Sequence, residues 1–197
     1  MNNTKAEKSS RTQARIIDAA RIVFARDGFT DAALSEIIAK ADVTTGAIYY
    51  HFTDKRGLFL AVAESLEKEI LDEASKRTNP MADPWEAFES SVLETLDICA
   101  RPDIQRIVFR EAPAVIGLRE WREIEVKYAF GVMQATVQQL AKAGLIKSEL
   151  PDMTSQILLG ALMEAAHTVA SAKQKSKALK VARETLRVML RGLKSDT

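Results

Sequence analysis

The residues best suited to bind another molecule lie between positions 44 and 55. This segment supplies hydroxyl, imidazole and ammonium groups, which are carried by Thr44, Thr45, Tyr49, Tyr50, His51 and Lys55. Such groups donate hydrogen bonds to phosphate oxygens. Gly46 and Ala47 lie between them, and their small size allows a backbone to approach the edges of bases closely. The segment therefore indicates nucleic-acid binding rather than bond-breaking chemistry.

Residues for catalysis or metal binding are few in this chain. It has two histidines, His51 and His167, and a single cysteine, Cys99. We therefore expect no internal disulfide, no metal site and no cofactor. The sequence also lacks a glycine-rich phosphate loop, a nucleophile elbow and a His-Glu-x-x-His pattern. We predict that the protein is not an enzyme. A helical interaction module without DNA binding is the other alternative, but it leaves the Tyr-Tyr-His segment unexplained.

The elements that position these residues are helices. Apolar residues recur at i, i+3 and i+4 along nearly the whole chain, and alternating patterns are absent. The 197 residues are 47% hydrophobic, which is ample for a core, and the net charge is only +1. Residues 1–56 carry nine basic and seven acidic side chains, a weak bias toward nucleic acid. We predict an all-α fold of about nine helices.

Two short helices joined by a tight turn form a predicted helix-turn-helix over residues 33–52. The turn lies at Asp42 and Val43, and the second helix begins near Thr45. At 100° per residue, Ile48 and Phe52 share one inward stripe, which leaves the other faces of that helix free. In this motif the second helix enters the major groove of DNA.

The remaining helices complete the prediction on either side of this motif. A first helix is expected over 12–27, ending at Gly28 so that Phe29 folds back onto Phe24. Six further helices are expected over 54–77, 84–100, 103–111, 119–143, 152–173 and 177–193. We divide the chain into a flexible arm (1–10), a helix-turn-helix domain (11–56) and an effector-binding and dimerisation domain (57–197).

The segment Val43-Thr44-Thr45-Gly46-Ala47-Ile48-Tyr49-Tyr50-His51-Phe52-Thr53-Asp54-Lys55-Arg56-Gly57-Leu58 resembles the tetracycline-repressor (TetR) family signature. The first helix and its Asp27-Gly28-Phe29 ending match as well. The resemblance implies an N-terminal DNA-binding domain on a larger helical domain. It implies phosphate contacts from Thr44, Tyr49, His51 and Lys55, and base or groove contacts from Thr45, Gly46, Ala47 and Tyr50. Tyr49 as a core aromatic and His51 as a packing residue remain the alternatives.

Three residues depart from the family pattern. Asp42 stands where the turn usually has glycine, although aspartate also adopts the left-handed conformation. Ile38 replaces the small residue at the crossing of the two helices. Ala32 and Ala33 replace the hydroxyl residue that usually caps the second helix, for which Thr30 or Asp31 would have to substitute.

The last two helices are candidates for a dimer interface. Residues 157–170 are apolar on nearly every face, so that helix must be covered on more than one side. Pairing both helices with their symmetry mates would form a four-helix bundle; the alternative is that they complete the core of one protomer. The predicted interface residues are Leu158, Ala161, Ala165, Leu179, Ala182, Leu186 and Met189.

The middle helices carry candidates for an effector pocket, because family members enclose one there. The aromatic and other apolar candidates are Trp85, Phe88, Leu96, Phe109, Trp121, Tyr128 and Met133, each of which could instead belong to the core. Glu164 and His167 are three residues apart and are expected on one face. They would hydrogen-bond an effector, or form a buried pair or an interface pair.

Together these features predict a ligand-responsive transcriptional regulator. It would bind a palindromic double-stranded DNA operator as a homodimer and be released by a small, largely apolar effector. Repression is the commoner outcome in the family, and activation is the alternative. No apolar run of the sequence approaches the ~20 residues that cross a bilayer, and we expect a cytoplasmic protein without a membrane partner.

Overall fold

The computed structural model describes residues 2–77 and 83–195. In this part of the chain there are nine helices and no strand, which confirms the all-α prediction. The helices are α1 (Asn2–Asp31), α2 (Leu34–Ala41), α3 (Thr45–His51), α4 (Lys55–Arg77), α5 (Pro84–Cys99), α6, α7 (Leu118–Lys142), α8 (Pro151–Ser171) and α9 (Lys175–Leu193). Helix α6 is continuous over three segments, Pro102–Ile104, Gln105–Glu111 and Ala112–Ile116.

The N-terminal head consists of α1, α2 and α3, packed on the start of α4. Its core is formed by buried apolar side chains, including Ile16, Phe24, Ile37, Ile48, Phe52 and Leu58. The backbone turns at Gly28, whose φ of 85° favours glycine. Beyond this turn Phe29 stacks on Phe24 with ring centroids 6.3 Å apart, as predicted. Both rings also contact Phe59 of α4 edge-on, which fixes the head on that helix.

Two helices are longer than the sequence pattern indicated. The residues expected to form a flexible arm are helical, because α1 already begins at Asn2; Met1 lies outside the described residues. The helix predicted to end at 111 continues through Pro113 to Ile116. It does so because its middle segment is wound more widely than an α-helix. The amide of Ala112 donates to the carbonyl of Ile107, five residues back, and this winding accommodates a proline inside the helix.

The larger body consists of α4 to α9 around one apolar core. Several predicted helix ends are confirmed by their hydrogen bonds: Asp83 accepts from the amides of Trp85 and Glu86 at the start of α5. Gly144 follows α7 with a φ of 72°, and the Leu145 amide donates to the Leu140 carbonyl at 3.0 Å. Among the described residues, no helix is both long and apolar enough to cross a membrane.

Candidate nucleic-acid interface and effector site

Helix α3 separates a buried face from an open face. Ile48 is completely buried, and Phe52, which follows the helix, is buried as well. Tyr50 is 79% exposed and Tyr49 is 56% exposed, so Tyr49 is a surface residue and not the core aromatic that remained an alternative. The first turn of the helix is also open: Thr44, Thr45 and Gly46 are exposed and Ala47 is partly exposed. The outward face thus combines small residues at one end with two aromatic hydroxyls at the other.

The turn before α3 is held by long-range hydrogen bonds. Asp42 has a φ of 50° and is the one non-glycine residue with positive φ in the described chain. Arg15 of α1 donates to the carbonyl oxygens of Ala41 and Asp42 and to the Asp42 carboxylate. This arginine therefore supplies a hydrogen-bond donor to the carbonyl groups at the end of α2. It also offsets part of the free-energy cost of an aspartate in the left-handed conformation.

The N-terminal ends of α2 and α3 differ in how they are capped. The hydroxyl of Thr44 accepts from the amide of Ala47 at 3.3 Å, which makes Thr44 the N-cap of α3. Ala33 stands at the N-cap of α2 without any side-chain bond to the first turn, so the predicted loss of a cap is confirmed. Ile38 is accommodated as a partly buried residue against the head core.

Lys55 and His51 have neighbours inside the protein. The Lys55 ammonium donates to the Thr30 carbonyl at 3.1 Å and lies 5.0 Å from the centre of the Phe29 ring. Lys55 therefore ties α4 to the end of α1, in addition to any contact with phosphate. The half-buried His51 ring contacts Tyr50 edge-on, with ring centroids 5.0 Å apart.

Comparison with known proteins agrees with this geometry. Residues 16–62 match the model described as bacterial regulatory proteins, tetR family, and residues 85–193 match the tetracyclin repressor-like C-terminal domain. The chain belongs to the TetR family. It is 31% identical over 174 residues to the HTH-type transcriptional repressor BepR of Brucella suis, covering 81% of this chain and 80% of the relative.

Two further proteins resemble the chain over most of its length. The transposon Tn10 TetC protein of Escherichia coli is 28% identical, and the match covers 83% of each chain. A TetR-family transcriptional regulator from Pectobacterium atrosepticum, known from its crystal structure, is 30% identical with a TM-score of 0.87. That match covers 96% of this chain and 97% of the other. The nine-helix TetR architecture therefore extends over the whole described chain.

In this TetR-family protein an ion pair within helix α6 contacts the DNA-binding head. Arg106 and Glu111 pair at 3.0 Å within the widely wound segment. Arg106 donates to the carbonyl of Arg26 at 2.6 Å, and the Glu111 carboxylate accepts from the amide of Phe29 at 2.7 Å. We call this pair the α6 clamp. It supplies hydrogen-bond partners on both sides of Gly28, where α1 has lost its own.

Two further arginines join the head to the body. Arg21 of α1 binds Glu69 of α4 and Asp103 of α6, with N–O distances of 2.6 and 2.5 Å. Arg56, in the first turn of α4, donates to the Ile116 carbonyl at 2.7 Å and binds Glu120 at 2.8 Å. A movement of α6 relative to α4 must therefore be felt at α1 and at the start of α4.

The predicted pocket residues fall into separate groups. Six of them are buried in the body: Trp85, Phe88, Leu96, Phe109, Trp121 and Met133. Trp85 contacts Phe88 and lies under the Lys194 ammonium, beside the end of α9. Tyr128 is only half-buried, and its hydroxyl donates to Glu64 at 3.3 Å near two lysines on the outside of α4 and α7.

Glu164 and His167 do not act together as the spacing predicted. Glu164 is exposed and lines the groove between α8 and α9. His167 turns toward the core, where its ring packs edge-on against Phe109 and its Nδ1 lies 3.2 Å from the Phe109 carbonyl. Residues three apart differ by about 60° around a helix, and here the boundary between surface and core falls between them.

Two buried glutamates were missed by the sequence reasoning. Glu67 of α4 and Glu125 of α7 are each 3% exposed. Burial, more than the neighbouring charge of Glu125, raises the pKa of Glu67 to about 8. Burial also raises the pKa of Glu125, against the opposing effects of His167, Arg122 and Trp121. A signal was available: Trp121, Glu125, Ala129 and Met133 form one i+4 stripe, so a glutamate stands in the apolar face of α7.

An apolar groove of about 620 Å³ runs between α8 and α9. Five of the seven predicted interface residues line it: Ala161, Ala165, Ala182, Leu186 and Met189. Val181, in the same groove, is 58% exposed. The other two predicted residues lie outside it, because Leu158 is buried in the core of its own protomer and Leu179 is partly buried against that core.

Proposed function

We propose that this protein is a ligand-responsive transcriptional repressor that binds a palindromic DNA operator as a homodimer. The observation that carries the proposal is the open face of α3. Tyr49 and Tyr50 are exposed on this face, whereas Ile48, on the inward face of the same helix, is fully buried. A helix of this shape fits the major groove, with its small residues near base edges and its hydroxyls near phosphates. The proposal assigns the chain no catalytic reaction and places it in the cytoplasm with its operator.

The groove between α8 and α9 supports the homodimer. Exposed Val181 and Met189 form an apolar surface there together with partly exposed alanines. Exposed apolar patches mark interaction sites. A two-fold axis at this groove would bring two copies of α8 and α9 together as a four-helix bundle. Two heads related by that axis would read two half-sites of one operator.

Release from DNA would depend on the contacts between body and head. A small, largely apolar effector among the middle helices would favour one arrangement of α6 relative to α4. The α6 clamp and the Arg56 contacts would then pass that arrangement to α1 and to the start of α4. An effector changes operator affinity only through its different affinities for the two arrangements.

The test is fluorescence anisotropy with labelled DNA from beside the protein's own gene and with scrambled DNA at the same salt concentration. Because the Tyr50 side chain is exposed, Tyr50→Phe removes only its hydroxyl group, and Tyr50→Ala removes the ring as well. We expect Tyr50→Ala to weaken specific binding about tenfold to a hundredfold. Lys55→Ala is a poor first variant, because Lys55 also bonds the Thr30 carbonyl.

Leu150→Ala is the matched control, since Leu150 is an exposed large side chain at the start of α8, far along the chain from the head. It should bind like the unaltered protein. Equal binding of operator and scrambled DNA, followed by failure of a genome-wide selection to find any preferred site, would refute the proposed DNA recognition.

A further inference from the structure

Glu67 and Glu125 form a pair of carboxyl groups inside the larger body of α4 to α9. Both are 97% buried, and the Oε1 atom of each has no hydrogen-bond partner among the described residues. A buried carboxyl group without a partner costs free energy because it has lost its hydration, and the cost rises to several kcal/mol when the group is ionised. Neither residue serves the DNA-binding face or the groove, so this cost is not explained by the functions proposed above.

The two carboxyl groups act on the same small region between α4 and α7. The charge of Glu125 raises the pKa of Glu67, and both glutamates also raise the pKa of the fully buried Cys99 thiol, after burial itself. Three side chains are therefore within electrostatic reach of one another in the interior. This region already contains Trp121, one turn from Glu125 on the same face of α7.

The basic groups nearby lie at the outer limit of ion pairing with Glu125. The His167 Nε2 lies 3.8 Å from Glu125 Oε1, and the Arg122 guanidinium lies 3.9 Å from Glu125 Oε2. Both distances exceed those of a charge-assisted hydrogen bond, and Arg122 is half-exposed. Glu67 forms no ion pair with a basic side chain among the described residues. Each carboxyl group therefore keeps one acceptor atom, Oε1, without a hydrogen-bond partner among the described residues.

We propose that Glu67 and Glu125 bind the positively charged group of an organic effector whose remaining surface is apolar. The inference rests on the proposed function and refines it, because it adds one cationic centre to an otherwise apolar ligand. Trp121 lies one turn from Glu125 on α7, and Phe109 packs against His167, whose Nε2 is 3.8 Å from Glu125. Aromatic rings attract cations as well as apolar groups. No group of three or more His, Cys, Asp or Glu side chains in the described chain is placed to bind a metal ion, which favours an organic cation.

This position couples the charge to DNA binding. Glu67 lies on α4, whose first residue is Lys55 beside the end of the head, whereas Glu125 lies on α7. A cation between them attracts both carboxylates and releases any proton that they retain. The distance between α4 and α7 then depends on whether the cation is bound, and Arg56 passes any change to the end of α6 and the start of α7.

The experiment compares probes that differ only in charge. Phenyl-, naphthyl- and biphenyl-alkyl trimethylammonium ions are each measured beside the neutral isostere in which a tert-butyl group replaces trimethylammonium. Binding to the full-length protein is followed by calorimetry and by thermal shift. We expect at least one ammonium ion to bind about tenfold or more tightly than its isostere. Glu67→Gln and Glu125→Gln should each abolish that preference without changing affinity for the isostere.

Glu123→Gln is the matched control, because it removes an exposed carboxylate from the same helix as Glu125; it should retain the preference. The inference is overturned if every ammonium ion binds the unaltered protein no more tightly than its isostere, or if either Gln variant folds and keeps the preference. Should circular dichroism show that one variant is unfolded, the unaltered protein and the other variant decide the question.

Operator binding is measured on the same samples so that the two proposals fail separately. Specific DNA binding with no preference for cations refutes the charged effector alone. A cation preference that depends on Glu67 and Glu125, in a protein that recognises no DNA, refutes the regulator and leaves the cation site standing. Weaker operator binding on addition of the preferred ammonium ion supports both.

Discussion

The buried Glu67 predicts an unusual pH dependence of folding stability. Its pKa rises from an ordinary value of 4.5 to about 8 in the folded protein. Between these values the folded chain retains a proton that the unfolded chain has lost. The free energy of unfolding should therefore fall as pH rises, by about 1.4 kcal/mol per pH unit for one proton. The stabilisation is complete below pH 4.5 and is lost as pH rises through about 8.

This slope is measured as the difference between the unaltered protein and Glu67→Gln. Urea unfolding at pH 5.5 and pH 7.5, at one protein concentration because the protein is proposed to dimerise, gives the free energy of each. All other ionisable groups remain in both chains, so most of their contribution to the pH dependence cancels in the difference. We expect the glutamine variant to gain about 2.7 kcal/mol relative to the unaltered protein between the two pH values.

Glu123→Gln, an exposed carboxylate of α7, provides the control and should show no comparable gain. The reasoning is refuted if the difference between the unaltered protein and Glu67→Gln is the same at pH 5.5 and pH 7.5. In that case Glu67 would be ionised throughout the range, and the interior of the body would be far more polar than the structure indicates.

Three other changes have definite expected outcomes. Gly28→Ala should destabilise the protein by at least about 1–3 kcal/mol, because φ is 85° and a Cβ would lie 2.5 Å from Glu111 Oε1; Gly131→Ala, with open space around it, should instead stabilise by up to about 1 kcal/mol in thermal unfolding. Val181→Glu should convert a dimer into monomers in sedimentation experiments, whereas Val132→Glu, also 58% exposed but outside the groove, should not; unchanged mass for both would contradict the interface. Glu111→Gln should weaken the α6 clamp by about 1–3 kcal/mol and reduce the effect of an effector on operator affinity, and an undiminished effect would exclude the clamp from that coupling.

The DNA-binding head could be predicted from sequence because its signals are local. The positions of Ile48 and Phe52 determine which face of α3 is buried, and Gly28 and Asp42 identify the turns on either side of α2. These features depend on residues only a few positions apart, so helical periodicity and turn chemistry were sufficient. The same reasoning left Tyr49 undecided, because its exposure depends on how closely α1 and α4 approach α3.

The larger body was predicted less well because its important contacts join residues that are far apart in the sequence. Arg106 meets the end of α1 about 80 positions away, and periodicity contains no information about such pairs. The prediction that Glu164 and His167 share one face was wrong. A 60° separation around the helix was enough to place Glu164 in the groove and His167 against Phe109. Leu158 was assigned to the interface although its own protomer already covers it.

The sequence by itself therefore determined the helices, the helix-turn-helix and the family, because each can be recognised from residues only a few positions apart along the chain. Only the tertiary structure decided that Lys55 bonds the Thr30 carbonyl, that α6 clamps the head through Arg106 and Glu111, and that two glutamates are buried in the interior. The physical reason is that burial and charge pairing depend on which helix faces are brought together. That choice is made by the packing of the whole core, not by any single segment.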